Sequence, residues 1–223
     1  MTTPHQTQIK LCGMTQAKDA QLAVTAGADY IGLIFVPETP RCITLEAAQH
    51  IVQAVNKQAK IVGVFQRQSL EAIREVCSQV DLDMIQLHGD ESPGFCKQLP
   101  LPVIKTLILH DEFSPKDALA YKGCHAVLLD VPKYWDKPAH KRPGVPDFPA
   151  LPKEIHTLLA GQLTPESVGG VVRHYRPGGV DVASGIEDSP GRKNAEKMAS
   201  FCRAVRDADA YINQQQESSS CKR

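Results

Sequence analysis

The stretch Gln8-Ile9-Lys10-Leu11-Cys12-Gly13-Met14-Thr15 sets the pattern that the rest of the chain repeats. It is a short β-rich run that ends in a thiol, a glycine and a hydroxyl, which is typical of a strand that carries a reactive group at its carboxyl end. Such a group forms a site only where the ends of other strands converge beside it. The number and spacing of similar runs therefore decide both the fold and the site.

Eight β-rich runs follow one another along the chain, at residues 8–12, 29–36, 60–65, 83–88, 102–108, 125–130, 156–160 and 179–183. Their starts are roughly 19 to 31 residues apart, which is the length of one strand, one crossover helix and their loops. Residues 61–65 and 126–129 are apolar almost throughout, as expected for a sheet that is buried on both faces. The pattern predicts a tandem βα repeat with parallel strands.

Hydroxyl and amide side chains mark where helices should begin between these runs. Thr44, Ser69 and Asn194 each precede a single apolar stripe, and a hydroxyl comes directly before proline at Ser92, Ser114 and Thr164. Six prolines between Asp130 and Glu154 instead predict a long irregular segment. We expect an α/β protein with a single (β/α)8 TIM barrel and a proline-rich irregular segment after strand 6. An open, doubly wound sheet is the weaker alternative.

The barrel should span residues 8–212, after an N-terminal extension of residues 1–7 and before a polar tail, residues 213–223, that we expect to be disordered. The 25 basic and 25 acidic residues cancel, which argues against binding of nucleic acid or a charged membrane surface. No signal peptide or bilayer-spanning run is recognisable. Seven cysteines without a CxxC pair suit reduced thiols, so we expect a cytoplasmic protein.

The residues that follow the runs share one rim in a barrel, and that rim is where barrel enzymes carry their sites. It would hold a thiol, an acid, cations and glycine turns. In chain order the rim comprises Cys12-Gly13, Pro40-Arg41, Gln66-Arg67, His88-Gly89-Asp90, Lys105-Thr106, Asp130, Gly161-Gln162 and Ser184-Gly185.

Collinear motifs from about residue 8 to residue 207 resemble the phosphoribosylanthranilate isomerase family of tryptophan biosynthesis. They are KLCGMT (10–15), GADYIG (27–32), TPR (39–41), VGVF (62–65), IQLHG (85–89), LLD (128–130), LAGQLTPESV (159–168) and GVDVASGIE (179–187). The resemblance implies a (β/α)8 barrel enzyme, an isomerase that performs an Amadori rearrangement by acid and base catalysis. It also implies a small phosphorylated substrate and neither cofactor nor metal, and it leaves monomer and homodimer open.

The resemblance implies that Cys12 is the catalytic base and Asp130 the catalytic acid. It also implies that Arg41 binds the carboxylate of the anthranilate. Each residue also has an ordinary interpretation. A cysteine that ends a buried strand is often a small apolar filler, an aspartate after a strand is often a turn residue, and an arginine in a loop is often a solvated charge.

Phosphate binding is implied for the two turns that follow the last two runs, at Gly161-Gln162 and Ser184-Gly185. Small residues let an anion reach backbone N–H groups there, although glycines also serve simply to make tight turns. Asp181 and His88 are expected near the site. Asp181 is equally suited to a structural role, and His88 to that of a buried core histidine.

The chain departs from the family pattern in two places. A family Gly-Gly-Thr-Gly segment followed by Phe-Asp-Trp is replaced by residues 140–148, which include Lys141 and Arg142, and a paired glycine is replaced by Gly161-Gln162. These changes keep two alternatives open: a degenerate homologue that only binds ligands, or another phosphosugar enzyme. The latter would need a Schiff-base lysine, paired carboxylates or metal ligands at the rim, and only Lys105 is available as a candidate.

Overall fold

A computed structural model describes residues 4–132 and 147–220, and these residues form one closed barrel of eight parallel strands in sequence order. β8 pairs with β1, so the barrel rather than the open sheet is confirmed. Every predicted run contains a strand: β1 Gln8–Cys12, β2 Tyr30–Ile34, β3 Lys60–Phe65, β4 Met84–Leu87, β5 Val103–Ile108, β6 Ala126–Asp130, β7 Thr157–Ala160 and β8 Gly179–Val182.

Helices occupy most of the segments between the strands. They are α1 Ala17–Ala26, α2 Leu45–Val55, α3 Leu70–Gln79, α4 Pro93–Cys96, α5 Pro165–Tyr175 and α6 Ala195–Ser220, with 3₁₀ helices at Pro115–Tyr121 and Ser184–Ile186. The predicted capping hydroxyls accept hydrogen bonds from backbone N–H groups. For example, the Thr44 hydroxyl accepts a hydrogen bond from the Ala47 N–H, and the Thr164 hydroxyl accepts one from the Ser167 N–H. After β8 the chain also forms a hairpin of β9 Glu187–Ser189 and β10 Arg192–Lys193.

The proline-rich segment between β6 and β7 has neither helix nor strand at residues 131–132 and 147–156. The other residues of this segment, 133–146, lie outside the described residues. They include Lys141 and Arg142. The irregular connection predicted from the prolines is therefore confirmed for the described parts of the segment.

Alternation along the strands divides the buried residues into two layers. One apolar cluster fills the inside of the barrel and consists of Tyr30, Val62, Met84, Ile104, Ala126, Leu128, Leu158 and Ala160. A larger cluster packs between the sheet and the helices and includes Ile9 and Leu11 of β1. Because neighbouring side chains on a strand point to opposite faces, Lys10 and Cys12 face the barrel interior.

The last helix ties the two ends of the described chain together. Asp209 accepts hydrogen bonds from the Thr7 backbone N–H at 3.0 Å, the Thr7 hydroxyl at 2.7 Å and Arg206 Nη1 at 3.1 Å. Asn213 exchanges two hydrogen bonds with the backbone of His5. Part of the expected N-terminal extension is thus fixed against the barrel.

The end of the last helix differs from our expectation of a disordered tail from residue 213. α6 continues to Ser220, so residues 213–220 are helical, while residues 221–223 lie outside the described residues. Gln and Glu are good helix formers, and extending a formed helix avoids the cost of nucleation. Within the described residues, no helix has both the length and the apolar character needed to cross a membrane.

Replacing Asp209 should test the link between the chain ends. Asp209→Ala leaves the Thr7 donors buried and unpaired, so we expect the free energy of unfolding to fall by about 2–4 kcal/mol. Urea unfolding followed by circular dichroism measures this change. Asp207→Ala, which removes the same charge from an exposed position two residues earlier, is the control. Equal, small effects of both substitutions would show that the link contributes nothing.

Candidate active site

Most of the predicted site residues line one cavity of about 240 Å³ at the carboxyl ends of the strands. Eight of the nine lie there: Cys12, His88, Asp130, Gly161, Gln162, Asp181, Ser184 and Gly185. The closed sheet explains this convergence, because it brings the ends of β1, β4, β6, β7 and β8 to one rim. Arg41 does not line the cavity.

Cys12 sits beside a buried ion pair inside the barrel. Lys10 Nζ, on the same face of β1, donates to Asp181 Oδ1 of β8 at 2.8 Å. Burial raises the pKa of the Cys12 thiol, and the nearby Asp181 carboxylate adds to this rise, whereas Lys10 and Lys193 oppose it. Burial alone would lower the pKa of Lys10, but attraction to Asp181 and Cys12 outweighs it and the pKa is raised. The lysine is therefore protonated, and the thiol form of Cys12 dominates at neutral pH.

Asp130 ends β6 with its carboxylate turned toward His88, which follows β4. His88 Nε2 and Asp130 Oδ2 are 3.3 Å apart, and the two side chains are 29% and 25% exposed at the cavity. At this distance an imidazole N–H can donate a hydrogen bond to the carboxylate. His88 is therefore not an enclosed core histidine but a neighbour of the predicted acid.

Arg41 lies over Gly13, next to the cavity. An ideal Cβ on Gly13 would come within 2.8 Å of Arg41 Cδ, so the arginine needs glycine there. Its Nε and Nη2 donate to the two Glu187 oxygens at 2.8 and 2.6 Å. This pair uses two of the five N–H donors of a guanidinium, so others remain for a second carboxylate. The hydrogen bonds to Glu187 raise the pKa of Arg41.

Two glycines bring the loops at the other end of the cavity into close contact. Gly161 has a φ of +89°, and an added Cβ would meet the Val131 carbonyl oxygen at 2.2 Å. A Cβ on Gly185 would meet the Leu163 carbonyl oxygen at 2.0 Å. No side chain fits at either position, so the backbones after β6, β7 and β8 pack directly together.

Gln162 occupies the position where the family pattern has a second glycine. Its φ of 55° is left-handed, which costs a non-glycine residue roughly 1 kcal/mol. Its Nε2 donates to the Pro132 carbonyl oxygen at 3.0 Å. The side chain thus joins the loop after β7 to the loop after β6, a contact that glycine could not make.

Four polar residues near the cavity were not predicted from the sequence. Lys10 and Lys193 approach Cys12, Glu187 holds Arg41, and Gln86 lines the cavity with its Nε2 bonded to Thr106 Oγ1 at 3.0 Å. The Gln86 Oε1 atom is buried without a hydrogen-bond partner in the described structure. Polar residues within otherwise apolar runs were the available signal for Lys10 and Gln86, because such residues are rarely buried without a role.

Lys105 does not reach the cavity. Its strand neighbours Ile104 and Thr106 take the interior face, while Lys105 Nζ bonds to Glu91 at 2.9 Å and to the Gly89 carbonyl oxygen at 2.5 Å. A lysine held in this way cannot attack a carbonyl group bound inside the rim. Among the described residues, no group of three His, Cys, Asp or Glu side chains is arranged to hold a metal ion.

Comparison with known proteins decides the family. The family model described as N-(5′-phosphoribosyl)anthranilate (PRA) isomerase matches residues 9–204. The chain belongs to this family. The N-(5′-phosphoribosyl)anthranilate isomerase of Pelobacter propionicus is 36% identical over 204 residues, covering 90% of this chain and 96% of that protein. The one from Leptothrix cholodnii is 36% identical over 211 residues, covering 93% and 94%.

Solved structures of this isomerase family share the barrel. The phosphoribosyl anthranilate isomerase of Thermotoga maritima has a TM-score of 0.79 and 30% identity, covering 91% of this chain and all of that one. A second structure, a phosphoribosyl anthranilate isomerase in complex with reduced 1-(o-carboxyphenylamino)-1-deoxyribulose 5-phosphate, has a TM-score of 0.77 and 29% identity with the same coverage.

The charges around Cys12 can be tested by alkylation. We expect the rate of Cys12 alkylation by iodoacetamide to keep rising with pH into the alkaline range, because burial raises the thiol pKa. Lys10→Met should raise this pKa further and Asp181→Asn should lower it. Peptide mass spectrometry measures alkylation at Cys12 separately from the other cysteines.

Lys18→Met, which removes an exposed lysine outside the site, is the control and should leave the alkylation profile of Cys12 unchanged. A shift in the same direction in Lys10→Met and Asp181→Asn would contradict the assignment of opposite electrostatic effects to this ion pair.

Proposed function

We propose that this chain converts N-(5-phosphoribosyl)anthranilate to 1-(2-carboxyphenylamino)-1-deoxyribulose 5-phosphate by general acid and base catalysis. Membership of the family supports the reaction. The observation that carries the residue assignment is the placement of the Cys12 thiol and the Asp130 carboxylate in a single cavity, whose other carboxylate, Asp181, is already paired with Lys10. Cys12 and Asp130 supply the two proton-transfer groups that an Amadori rearrangement needs.

Asp130 is the proposed acid. It gives a proton to the furanose ring oxygen, the bond from that oxygen to C1′ breaks, and a Schiff base forms with the anthranilate nitrogen. An isolated aspartate with a pKa near 3.9 is almost wholly ionised at neutral pH. His88 Nε2 lies 3.3 Å from Asp130 Oδ2, so an imidazole is in place to exchange a proton with the proposed acid.

Cys12 is the proposed base. Its thiolate removes the C2′ proton of the Schiff base, and the resulting enolamine tautomerises to the ketone. Because burial raises the pKa of Cys12, the thiolate forms less often, but it is a stronger base once it has formed. The protonated Lys10 beside it and the positive charge of a protonated Schiff base both favour this thiolate. The reduced thiol that the mechanism requires suits the cytoplasm, where we place the protein.

The two ends of the substrate would be held by different parts of the rim. We assign the phosphate to the close-packed loops of Gly161-Gln162 and Ser184-Gly185, because these residues line the cavity and backbone N–H groups in such turns can bind an anion. We assign the anthranilate carboxylate to the edge of Arg41 that is turned away from Glu187. This orientation would place the sugar between Cys12 and Asp130.

A binding protein without turnover is the second candidate, favoured by the altered segment after β6. The present site argues against it, because a protein that only bound ligand would have no need for a reduced thiol beside a buried Lys10–Asp181 pair. Burying such a pair is costly, and functional sites are where such costs are usually found.

Substitution of the two proton-transfer groups tests the proposal. Cys12→Ala and Asp130→Asn should each lower kcat by about 10²-fold or more, because each loses a group that acts in the transition state. Loss of substrate fluorescence measures turnover, and circular dichroism checks the fold. Cys42→Ala, at an exposed cysteine, is the control. Unchanged kcat in either variant would remove that residue from the mechanism, and no turnover in the wild type would favour the binding protein.

A further inference from the structure

A second pair of thiols lies outside the site, beside the amino ends of β5 and β6. Cys96 ends α4, and Cys124 lies in the turn between the 3₁₀ helix Pro115–Tyr121 and β6. Both line a cavity of about 320 Å³, where the two thiols are close enough to influence each other's ionisation. Cys96 is buried and Cys124 is partly exposed. The proposed mechanism uses neither residue.

We propose that Cys96 and Cys124 are a redox-active pair that closes to an intramolecular disulfide when the protein meets a low-molecular-weight disulfide such as oxidised glutathione. Cytoplasmic disulfides, where they occur, are usually transient and regulatory. The pair therefore differs in kind from the structural disulfides of secreted proteins.

The environment of the pair gives the two thiols different roles. Interaction with the Cys96 thiol lowers the pKa of Cys124, and the positive charge of Lys105 acts in the same direction against the effect of burial. The same interaction, together with burial, raises the pKa of Cys96. Cys124 is thus both the more acidic and the more accessible thiol, which are the properties of the attacking partner.

The exchange proceeds in two balanced steps. The Cys124 thiolate attacks one sulfur of oxidised glutathione, forming a mixed disulfide and releasing one glutathione thiolate. Cys96 then loses its proton and attacks the Cys124 sulfur, which releases the second glutathione. Overall two protein thiols are oxidised to one disulfide and one glutathione disulfide is reduced to two thiols.

Formation of the disulfide should also affect the rim of the barrel that carries the active site. The sulfurs must approach to about 2.05 Å, so the segments that carry them must move together. Tyr121, three residues before Cys124, donates through its hydroxyl to the Glu91 carbonyl oxygen at 3.1 Å. The Glu91 carboxylate in turn accepts the Gly89 N–H at 3.0 Å, next to His88. We therefore expect oxidation to disturb His88 and to lower kcat, a consequence that rests on the proposed function.

The test is incubation of the full chain in glutathione buffers of increasing oxidation, followed by trapping of free thiols with N-ethylmaleimide and peptide mass spectrometry. We expect a Cys96–Cys124 cross-link while Cys12 and Cys202, both buried, stay alkylatable after unfolding. The Cys96→Ser variant should form only the mixed disulfide between Cys124 and one glutathione. Cys124→Ser should leave Cys96 unmodified. Cys77→Ser, at a partly exposed helical cysteine, is the control and should cross-link like the wild type.

Three outcomes would overturn the proposal: no cross-link, a cross-link that uses other cysteines, or attack that begins at Cys96. Turnover is measured separately on the oxidised protein and after reduction with dithiothreitol. A reversible fall in kcat that is absent from Cys96→Ser supports the link to His88, and unchanged kcat in fully cross-linked protein refutes that link. Thiol mapping needs no activity, so its result is independent of the isomerase assignment.

Discussion

The ion pair between Lys10 and Asp181 is the interaction on which the barrel and its site both depend. The two residues face each other across the closure of the sheet, where β1 pairs with β8, and their charges meet at 2.8 Å inside the protein. Removing either partner would leave a buried charge uncompensated, which costs several kcal/mol in known cases. The same pair sets the local field at Cys12, two residues along β1.

A second constraint comes from chains of contact between loops that are distant in sequence. Arg41, after β2, is clamped by Glu187 of the hairpin after β8, and Lys193 of the same hairpin also bonds to Glu187 at 2.8 Å. Burial raises the pKa of Glu187, but hydrogen bonds from Arg41 and Lys193 outweigh it and lower the pKa. The carboxylate therefore stays ionised and holds the arginine beside Cys12, so the hairpin fixes one wall of the site.

The sequence predicted the barrel and the residues at its rim because both follow from local signals, whereas Asp181 was expected near the site only from the family resemblance. Strand length, helix caps and the positions of strand ends are properties of neighbouring residues, and a closed parallel sheet brings such ends together. The clamp on Arg41 could not be predicted, because its partner is 146 residues away. The helical continuation to Ser220 was also missed, since a polar stretch has no apolar stripe and becomes helical only as an extension of α6.

Gln162 shows how a departure from a family pattern becomes interpretable only with the structure. From the sequence it was a missing glycine at the expected phosphate end. In the fold it has a left-handed φ of 55°, and its side chain donates to the Pro132 carbonyl oxygen at 3.0 Å. The side chain therefore supports the junction between the loops after β6 and β7, next to the altered segment.

A crystal structure of this protein with reduced 1-(o-carboxyphenylamino)-1-deoxyribulose 5-phosphate would test the central claim most directly. We expect C2 of the sugar chain within about 3.5 Å of Cys12 Sγ, as a reacting geometry requires. The 4-hydroxyl, which derives from the ring oxygen, should lie at hydrogen-bond distance from Asp130, with the phosphate at Gly161 and Gly185. An analogue bound with C2 more than about 5 Å from Cys12 Sγ, or with its phosphate at the other end of the cavity, would contradict the assignment of base and acid.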